Sequence, residues 1–166
     1  ARFLEGRVEK YTWVDVGSSW LPSDLLAAFL YAQLESKERI LEKRRRVWER
    51  YHQMLSGWAA ERNVHLPVVP KGCLHSYHMY YLILPSPRCR AALIRHLRRR
   101  GILGVFHYQP LHLSEMGRSY GGKPGDCPVT EHVSERLIRL PFYNNLDADS
   151  QDRVIRAIRE FPWNGT

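Results

Sequence analysis

The sequence predicts one compact domain built of helices with a small amount of β-strand. Its 166 residues, 44% of them hydrophobic, are enough to fill a single core. A long segment near the start has apolar residues at helical spacing. Two later runs combine aromatic and β-branched residues between turn residues, as strands do.

The first predicted element is one long amphipathic helix from about Ser23 to about Ser56, with Ser23 as its N-cap and Gly57 as its stop. Its apolar residues recur at intervals of three, four and seven: Leu26, Phe29, Leu30, Leu34, Ile40, Leu41, Val47, Trp48, Tyr51 and Leu55. Because this length exceeds that of an ordinary globular helix, we expect it to brace two domains or subunits.

The middle of the chain predicts a strand, a helix and a second strand. HMYYLIL (78–84) is typical of a strand, and CRAALIRHLRRR is typical of a helix that ends at Gly101. ILGVFHY (102–108) follows as the second strand, since its residues are β-branched and aromatic and end at Pro110.

The last third predicts a loop and two helices. Residues 109–128 contain three prolines, so we expect a loop with at most a helical turn near Glu115. VTEHVSERLIRL resumes helical spacing with Thr130 as a possible cap, and LPFYNNL is a short extended piece. DADSQDRVIRAIREF predicts a last helix.

Composition limits the cellular setting. No apolar run approaches the roughly 20 residues that a membrane helix requires, so we expect no membrane partner. The three cysteines, Cys73, Cys89 and Cys127, form no CxxC pair, which predicts reduced thiols and a cytoplasmic protein. The chain starts without methionine, and its first clear structural signal follows Gly17; we expect a fragment of a longer protein.

The net charge of +8 leaves one alternative function open. Arginine runs at 44–46 and 98–100 suggest a stand-alone basic module that binds nucleic acid or another polyanion. These runs lack interleaved aromatic residues, so solvated helix faces and no nucleic-acid partner are the expectation.

No metal site is expected. Cys73, His75 and His78 form a CxHxxH cluster that invites a zinc interpretation. In a strand, however, alternate residues point to opposite faces, and no fourth ligand lies nearby in the sequence.

Three separated stretches carry a family resemblance. They are KYTWVDVGSSWLPSDLLAAFLYAQLE, then HSYHMYYLIL with GILGVFHYQPLH, then SERLIRLPFYNNLDADSQDRVI. In this order and spacing they resemble the DegT/DnrJ/EryC1/StrS sugar aminotransferases over nearly the whole chain. They are most similar to the subgroup that converts dTDP-4-keto-6-deoxyglucose to dTDP-4-amino-4,6-dideoxygalactose, because Tyr-Thr-Trp is followed by Gly-Ser-Ser and Leu21 replaces a usual polar residue.

The resemblance implies an α+β fold, the small C-terminal domain of a fold-type-I aminotransferase that depends on pyridoxal 5'-phosphate (PLP). Residues 1–22 would connect it to a large PLP-binding domain outside this chain, and residues 23–166 would be the small domain. The intact enzyme would be a homodimer that transfers an amino group, from glutamate, to the C4 ketone of a dTDP-4-keto-6-deoxyhexose.

The resemblance also implies that this piece is inactive alone, because the family's Schiff-base lysine lies upstream of Tyr11. No catalytic residue is expected in it. The five lysines are expected to be solvated surface residues, since lysine is almost never buried without a partner. They are Lys10, Lys37, Lys43, Lys71 and Lys123.

Two groups of site residues follow from the resemblance. Ser19 stands where most relatives place an asparagine that reaches the cofactor phosphate of the partner subunit, and Ser18 precedes it in the same turn; the alternative is a plain helix-entry turn. The substrate-binding residues are expected in two places. One is the end of the second predicted strand, where the alternative is that the loop histidines pack against Tyr120. The other is the aromatic segment before the first helix, where the alternative is core packing. These substrate-binding residues are His107, Tyr108, His112, Tyr11 and Trp13.

Overall fold

The computed structural model describes Trp13, residues 16–17 and residues 22–163. Within them the order of elements is α1 (Asp24–Glu35), α2 (Lys37–Glu61), β1 (Tyr81–Ile83), α3 (Pro87–Arg99), a 3₁₀ turn (Leu111–Leu113), α4 (Glu115–Ser119), α5 (Pro128–Ser134), β2 (Leu137–Arg139) and α6 (Ala148–Arg159). β1 and β2 pair antiparallel, with Tyr81 opposite Arg139 and Ile83 opposite Leu137. The described part is therefore a helical domain around a two-stranded ribbon.

The predicted single long helix is two helices. Ser23 caps α1 as predicted, since its hydroxyl accepts a hydrogen bond from the Leu26 amide at 3.4 Å. The helix then breaks at Ser36, whose φ of −97° and ψ of 10° depart from helical values. The prediction that Gly57 ends the helix is wrong, because α2 continues to Glu61. Burial of Trp58 beyond the glycine outweighs the roughly 1 kcal/mol that glycine costs inside a helix.

The core lies between α2, α3, α6 and the ribbon. Tyr51 of α2 is fully buried, and its hydroxyl donates to the Pro141 carbonyl oxygen at 3.0 Å. Other buried residues come from α2, α3, α6 and both strands: Trp48, Leu55, Leu82, Leu93, Leu97, Ile138, Ile155 and Ile158. Trp48 and Tyr51, predicted to help brace subunits, thus belong to the core of this domain.

One strand prediction and one helix prediction need correction. Residues 102–108 form no continuous strand; they reach the ribbon at one isolated bridge, Val105 opposite Arg139. Residues 137–139, predicted to be helical, form β2. Their helical spacing is overridden because antiparallel pairing with β1 places Leu137 and Ile138 in the core.

The remaining local signals are confirmed with one exception. α3 ends beside Gly101, whose φ of +70° is the left-handed conformation that favours glycine. Asp147 caps α6 by accepting from the Ser150 amide at 2.7 Å. Thr130 is not a cap, because α5 begins two residues earlier, with Cys127 at the N-cap position and Pro128 in the first turn.

Helix α1 is apolar and has no buried residue. Its large hydrophobic side chains lie on several faces and are exposed: Leu25, Leu26, Phe29, Leu30, Tyr31 and Leu34. A helix that is apolar all round is normally covered on more than one side. Neither α1 nor another helix in the described part of the chain is long and apolar enough to cross a membrane.

Candidate functional site

A cleft of about 420 Å³ lies between α5 and the segment that follows the Val105 bridge. A second cleft of about 350 Å³ shares four lining residues with it and adds Arg90 and Glu135. The larger cleft is lined by His107, Tyr108, Gln109, Pro110, Leu111, Val129, Thr130, Val133, Ser134 and Leu137. An apolar slot therefore adjoins a guanidinium group, an arrangement suited to a ligand with an apolar and an anionic part.

Tyr108 forms the rim shared by both clefts. Its φ of 51° is left-handed, which costs a non-glycine residue about 1–3 kcal/mol and is typical of functional positions. The His107 ring lies 4.5 Å from its ring, and the Arg139 guanidinium lies 5.6 Å from its ring centroid. The half-exposed phenol ring is thus held from within the protein while its open side faces the clefts.

The surroundings of His107 lower the pKa of its imidazole. Burial is the larger cause, and the nearby charges of Arg139 and His78 lower the pKa further. Its buried Nδ1 atom has no hydrogen-bond partner in the described part of the chain. Because this nitrogen is buried, His107 lines the cleft through its other atoms.

Arg90 is a site residue that the sequence did not single out. Its Nη1 donates to the Ser134 carbonyl oxygen at 3.1 Å, which fixes the guanidinium against α5. Its Nε is buried and has no hydrogen-bond partner among the described residues. In the sequence it is one of several arginines on an amphipathic helix, and only the packing of α3 near Ser134 distinguishes it.

His112 is placed differently from His107 and Tyr108. Its Nε2 lies 2.8 Å from an oxygen of the Glu131 carboxylate, and its side chain is mostly buried. His112 does not line the cleft. The structure therefore brings together two of the three residues predicted at this strand end.

Trp13 docks on the loop that follows His112. Its ring stacks on Tyr120 with centroids 5.7 Å apart and planes 14° apart, and its carbonyl oxygen accepts from the Met116 amide at 3.1 Å. Tyr120 therefore stacks on Trp13. The alternative interpretation from the sequence was that the two loop histidines pack against Tyr120. Tyr11, Ser18 and Ser19 lie outside the described residues.

The arginines of the run at 44–46 make structural contacts. Arg44 donates to the carbonyl oxygens of Tyr77 and His78 at 2.8 and 2.6 Å and to the Asn144 side chain at 3.1 Å. Arg45 and Arg46 form ion pairs with acidic residues of α2 itself. Arg45 and Arg46 match the prediction of a solvated helix face. For Arg44 that prediction is wrong, because its guanidinium is held by Tyr77, His78 and Asn144.

The lysines in the described part of the chain, Lys37, Lys43, Lys71 and Lys123, are exposed, as predicted; Lys10 lies outside it. The imidazole of His75 accepts from the Tyr77 amide at 3.1 Å, and that of His78 lies 2.8 Å from the Ser76 hydroxyl. Within the described residues no group of three or more His, Cys, Asp or Glu side chains is arranged to hold a metal ion.

Comparison with known proteins places these features in a family. The sequence pattern of the DegT/DnrJ/EryC1/StrS aminotransferase family matches residues 4–159. The chain belongs to this family. It is 32% identical over 139 residues to a dTDP-3-amino-3,4,6-trideoxy-alpha-D-glucose transaminase from Micromonospora megalomicea subsp. nigra, covering 82% of this chain and 36% of that protein.

Solved structures of the family share the fold. The aminotransferase TlmJ from Streptoalloteichus hindustanus is 30% identical with a TM-score of 0.71, over 84% of this chain and 36% of that one. A DegT DnrJ EryC1 StrS aminotransferase from Brucella abortus is 32% identical with a TM-score of 0.69, over 81% of this chain and 34% of that one. The chain thus spans little more than a third of the length of these relatives.

Proposed function

We propose that this chain is the C-terminal part of a PLP-dependent nucleotide-sugar aminotransferase and that it supplies one wall of the nucleotide-sugar site. The observation that carries the proposal is the family match over residues 4–159 combined with the cleft built around His107 and Tyr108. The reaction would transfer an amino group from glutamate to the C4 ketone of a dTDP-4-keto-6-deoxyhexose.

The sugar position is the finer part of the proposal. The transaminase from Micromonospora is named for a 3-amino sugar, which supports a dTDP-sugar substrate and offers C3 as the competing position. The motif Tyr-Thr-Trp followed by Gly-Ser-Ser, residues 11–19, favours C4 through its resemblance to the 4-aminating subgroup.

In the proposed site the residues of this chain bind and orient the substrate. Tyr108 offers an aromatic face to a base or sugar, and His107 adjoins it in the wall of the same cleft. Arg90 offers the adjoining cleft a guanidinium group for a phosphate, beside the carboxylate of Glu135. Tyr11 and Trp13 would line the same site from the segment before α1.

The described residues do not fit PLP as a complete site. A lysine that forms an imine with the cofactor is desolvated, and the four described lysines are exposed. We therefore propose that the cofactor, which supplies the electron sink for amino transfer, is held mainly by a larger N-terminal part of the enzyme. Ser18 and Ser19 would contribute hydroxyl and amide groups to its phosphate.

The exposed helix α1 favours a homodimer of the intact enzyme. Its side chains from Leu25 to Leu34 point to several sides, so one neighbouring surface covers only part of them. We propose that the larger domain of the same chain covers one face and that the partner subunit covers another. The protein would act in the cytoplasm.

Borohydride reduction of the intact enzyme tests the assignment. We expect a mass increase equal to one reduced cofactor on the intact enzyme and none on residues 1–166 alone. An adduct on the isolated chain would show that one of its lysines binds the cofactor, whereas no adduct on either would remove the aminotransferase assignment. Nuclear magnetic resonance of the product then distinguishes an amine at C4 from one at C3.

A further inference from the structure

The loop of residues 111–127, here called the His112 loop, is folded tightly around His112. A Cβ atom added to Gly117 would lie 2.8 Å from the His112 Cα and would also overlap the Leu111 carbonyl oxygen. A Cβ atom on Gly122 would overlap the His112 carbonyl oxygen. The Gly122 amide closes the loop by donating to the Gly117 carbonyl oxygen at 3.0 Å. Such close backbone approach leaves the loop few alternative packings.

Glu131, in the first turn of α5, holds this loop at several points. One oxygen of its carboxylate lies 2.8 Å from His112 Nε2 and accepts from the Gly125 amide at 2.9 Å and the Cys127 amide at 3.4 Å. The hydrogen bond from His112 and those from the two amides hold the pKa of Glu131 below its ordinary value. The carboxylate therefore stays ionised and remains an acceptor for both ends of the loop.

The outer side of the same loop carries Trp13. The Met116 amide, next to the enclosed Gly117, donates to the Trp13 carbonyl oxygen, and the Tyr120 ring stacks on the indole. Met116 and Tyr120 both belong to the turn around α4, which packs against the 3₁₀ turn containing His112. The position of Trp13 thus depends on the packing of the His112 loop.

We propose that Glu131 is a positioning residue that fixes Trp13 through His112 and its loop. The contact runs from the Glu131 carboxylate to His112, across the packed glycines to Met116 and Tyr120, and from there to Trp13. The consequence for the reaction rests on the proposed function, because Trp13 is one of the residues proposed to line the nucleotide-sugar site. Glu131 would then influence substrate affinity without touching the substrate.

The test compares four variants of the intact enzyme by hydrogen–deuterium exchange in the absence of substrate. Glu131→Ala removes the acceptor, Glu131→Asp withdraws it while keeping the charge, and Glu131→Gln keeps an oxygen able to accept all three bonds. Asp149→Ala is the matched control, since Asp149 is an exposed carboxylate in the first turn of α6, as Glu131 is in the first turn of α5.

We expect faster exchange in two peptides of Glu131→Ala and Glu131→Asp, the one covering 111–127 and the one containing Trp13. Glu131→Gln and Asp149→Ala are expected to match the unsubstituted enzyme in this exchange measurement. Faster exchange in 111–127 with no change around Trp13 would overturn the proposal, and so would unchanged exchange in both peptides. Glu131→Asp retains the charge and most of the side chain, so it decides the question if Glu131→Ala does not fold.

Kinetics separate this inference from the proposed function. We expect a severalfold rise in KM for the nucleotide sugar in Glu131→Asp with kcat little changed, and recovery in Glu131→Gln. A loss of kcat at unchanged KM would overturn the positioning role. An unsubstituted enzyme that aminates no nucleotide sugar would remove the proposed function, while the exchange result would still decide how Trp13 is held.

Discussion

Substitutions of Tyr51 distinguish two roles of helix α2, contact between subunits and packing in the core of this domain. Its ring is fully buried against Tyr80, with ring centroids 5.2 Å apart, and its hydroxyl donates to the Pro141 carbonyl oxygen at 3.0 Å. Tyr51→Phe keeps the ring and removes this one bond. Tyr51→Ala removes the ring as well.

The structure sets the size of both effects. The phenylalanine variant leaves the Pro141 carbonyl oxygen without its hydroxyl donor, which costs about 1–3 kcal/mol in the free energy of unfolding. The alanine variant adds a cavity, and removal of a buried aromatic ring costs about 3–5 kcal/mol. For a domain of this length each kcal/mol lowers Tm by about 2–4 °C.

Urea denaturation and thermal unfolding of the 166-residue chain measure these changes, and light scattering of the folded intact enzyme measures its subunit association. We expect a graded loss of stability, alanine more than phenylalanine, with the folded enzyme keeping its oligomeric state. The reasoning is refuted if Tyr51→Ala leaves stability within about 0.5 kcal/mol, the range of surface substitutions, or dissociates an enzyme that remains fully folded.

Three further predictions concern other buried contacts. His96 is buried with its Nε2 2.8 Å from the Ala157 carbonyl oxygen, and burial lowers its pKa below the ordinary 6.5, so its stabilising contribution should be complete above pH 6.5 and fall as pH drops below that value. Urea midpoints measured against pH should fall less steeply in His96→Phe, and equal slopes would contradict this. Arg44→Lys should accelerate amide exchange at residues 75–80 because one ammonium group cannot keep all three of its hydrogen bonds; unchanged exchange there would count against it. Gly104→Ala should lower stability by about 1–3 kcal/mol, since its Cβ would lie 2.7 Å from Ile138 Cδ1, and a neutral urea midpoint would show that Ile138 moves aside.

Local signals in the sequence were sufficient at several helix ends. Ser23 caps its helix through a bond to an amide three residues away, and Gly101 follows α3 in a left-handed conformation. The last helix was predicted for the same reason, since its apolar residues repeat every three or four positions. The family also follows from short motifs, because their order and spacing are visible in the sequence without knowledge of the packing.

Predictions failed where distant residues decide the outcome. Residues 137–139 have helical spacing but form a strand, because β1 lies more than fifty residues earlier in the chain and offers an edge to pair with. The helix prediction stopped at Gly57 because the sequence does not show that Trp58 will be buried against Trp163.

The candidate site shows the same division. The sequence by itself determined the family and some of the helix ends, those at Ser23 and Gly101, and it singled out His107 and Tyr108, which line the candidate cleft. Only the tertiary structure decided that His112 turns to Glu131 and that Arg90 joins the cleft. The physical reason is that a side chain's role depends on which groups the fold places within hydrogen-bond distance, and those groups come from segments that sequence spacing does not relate.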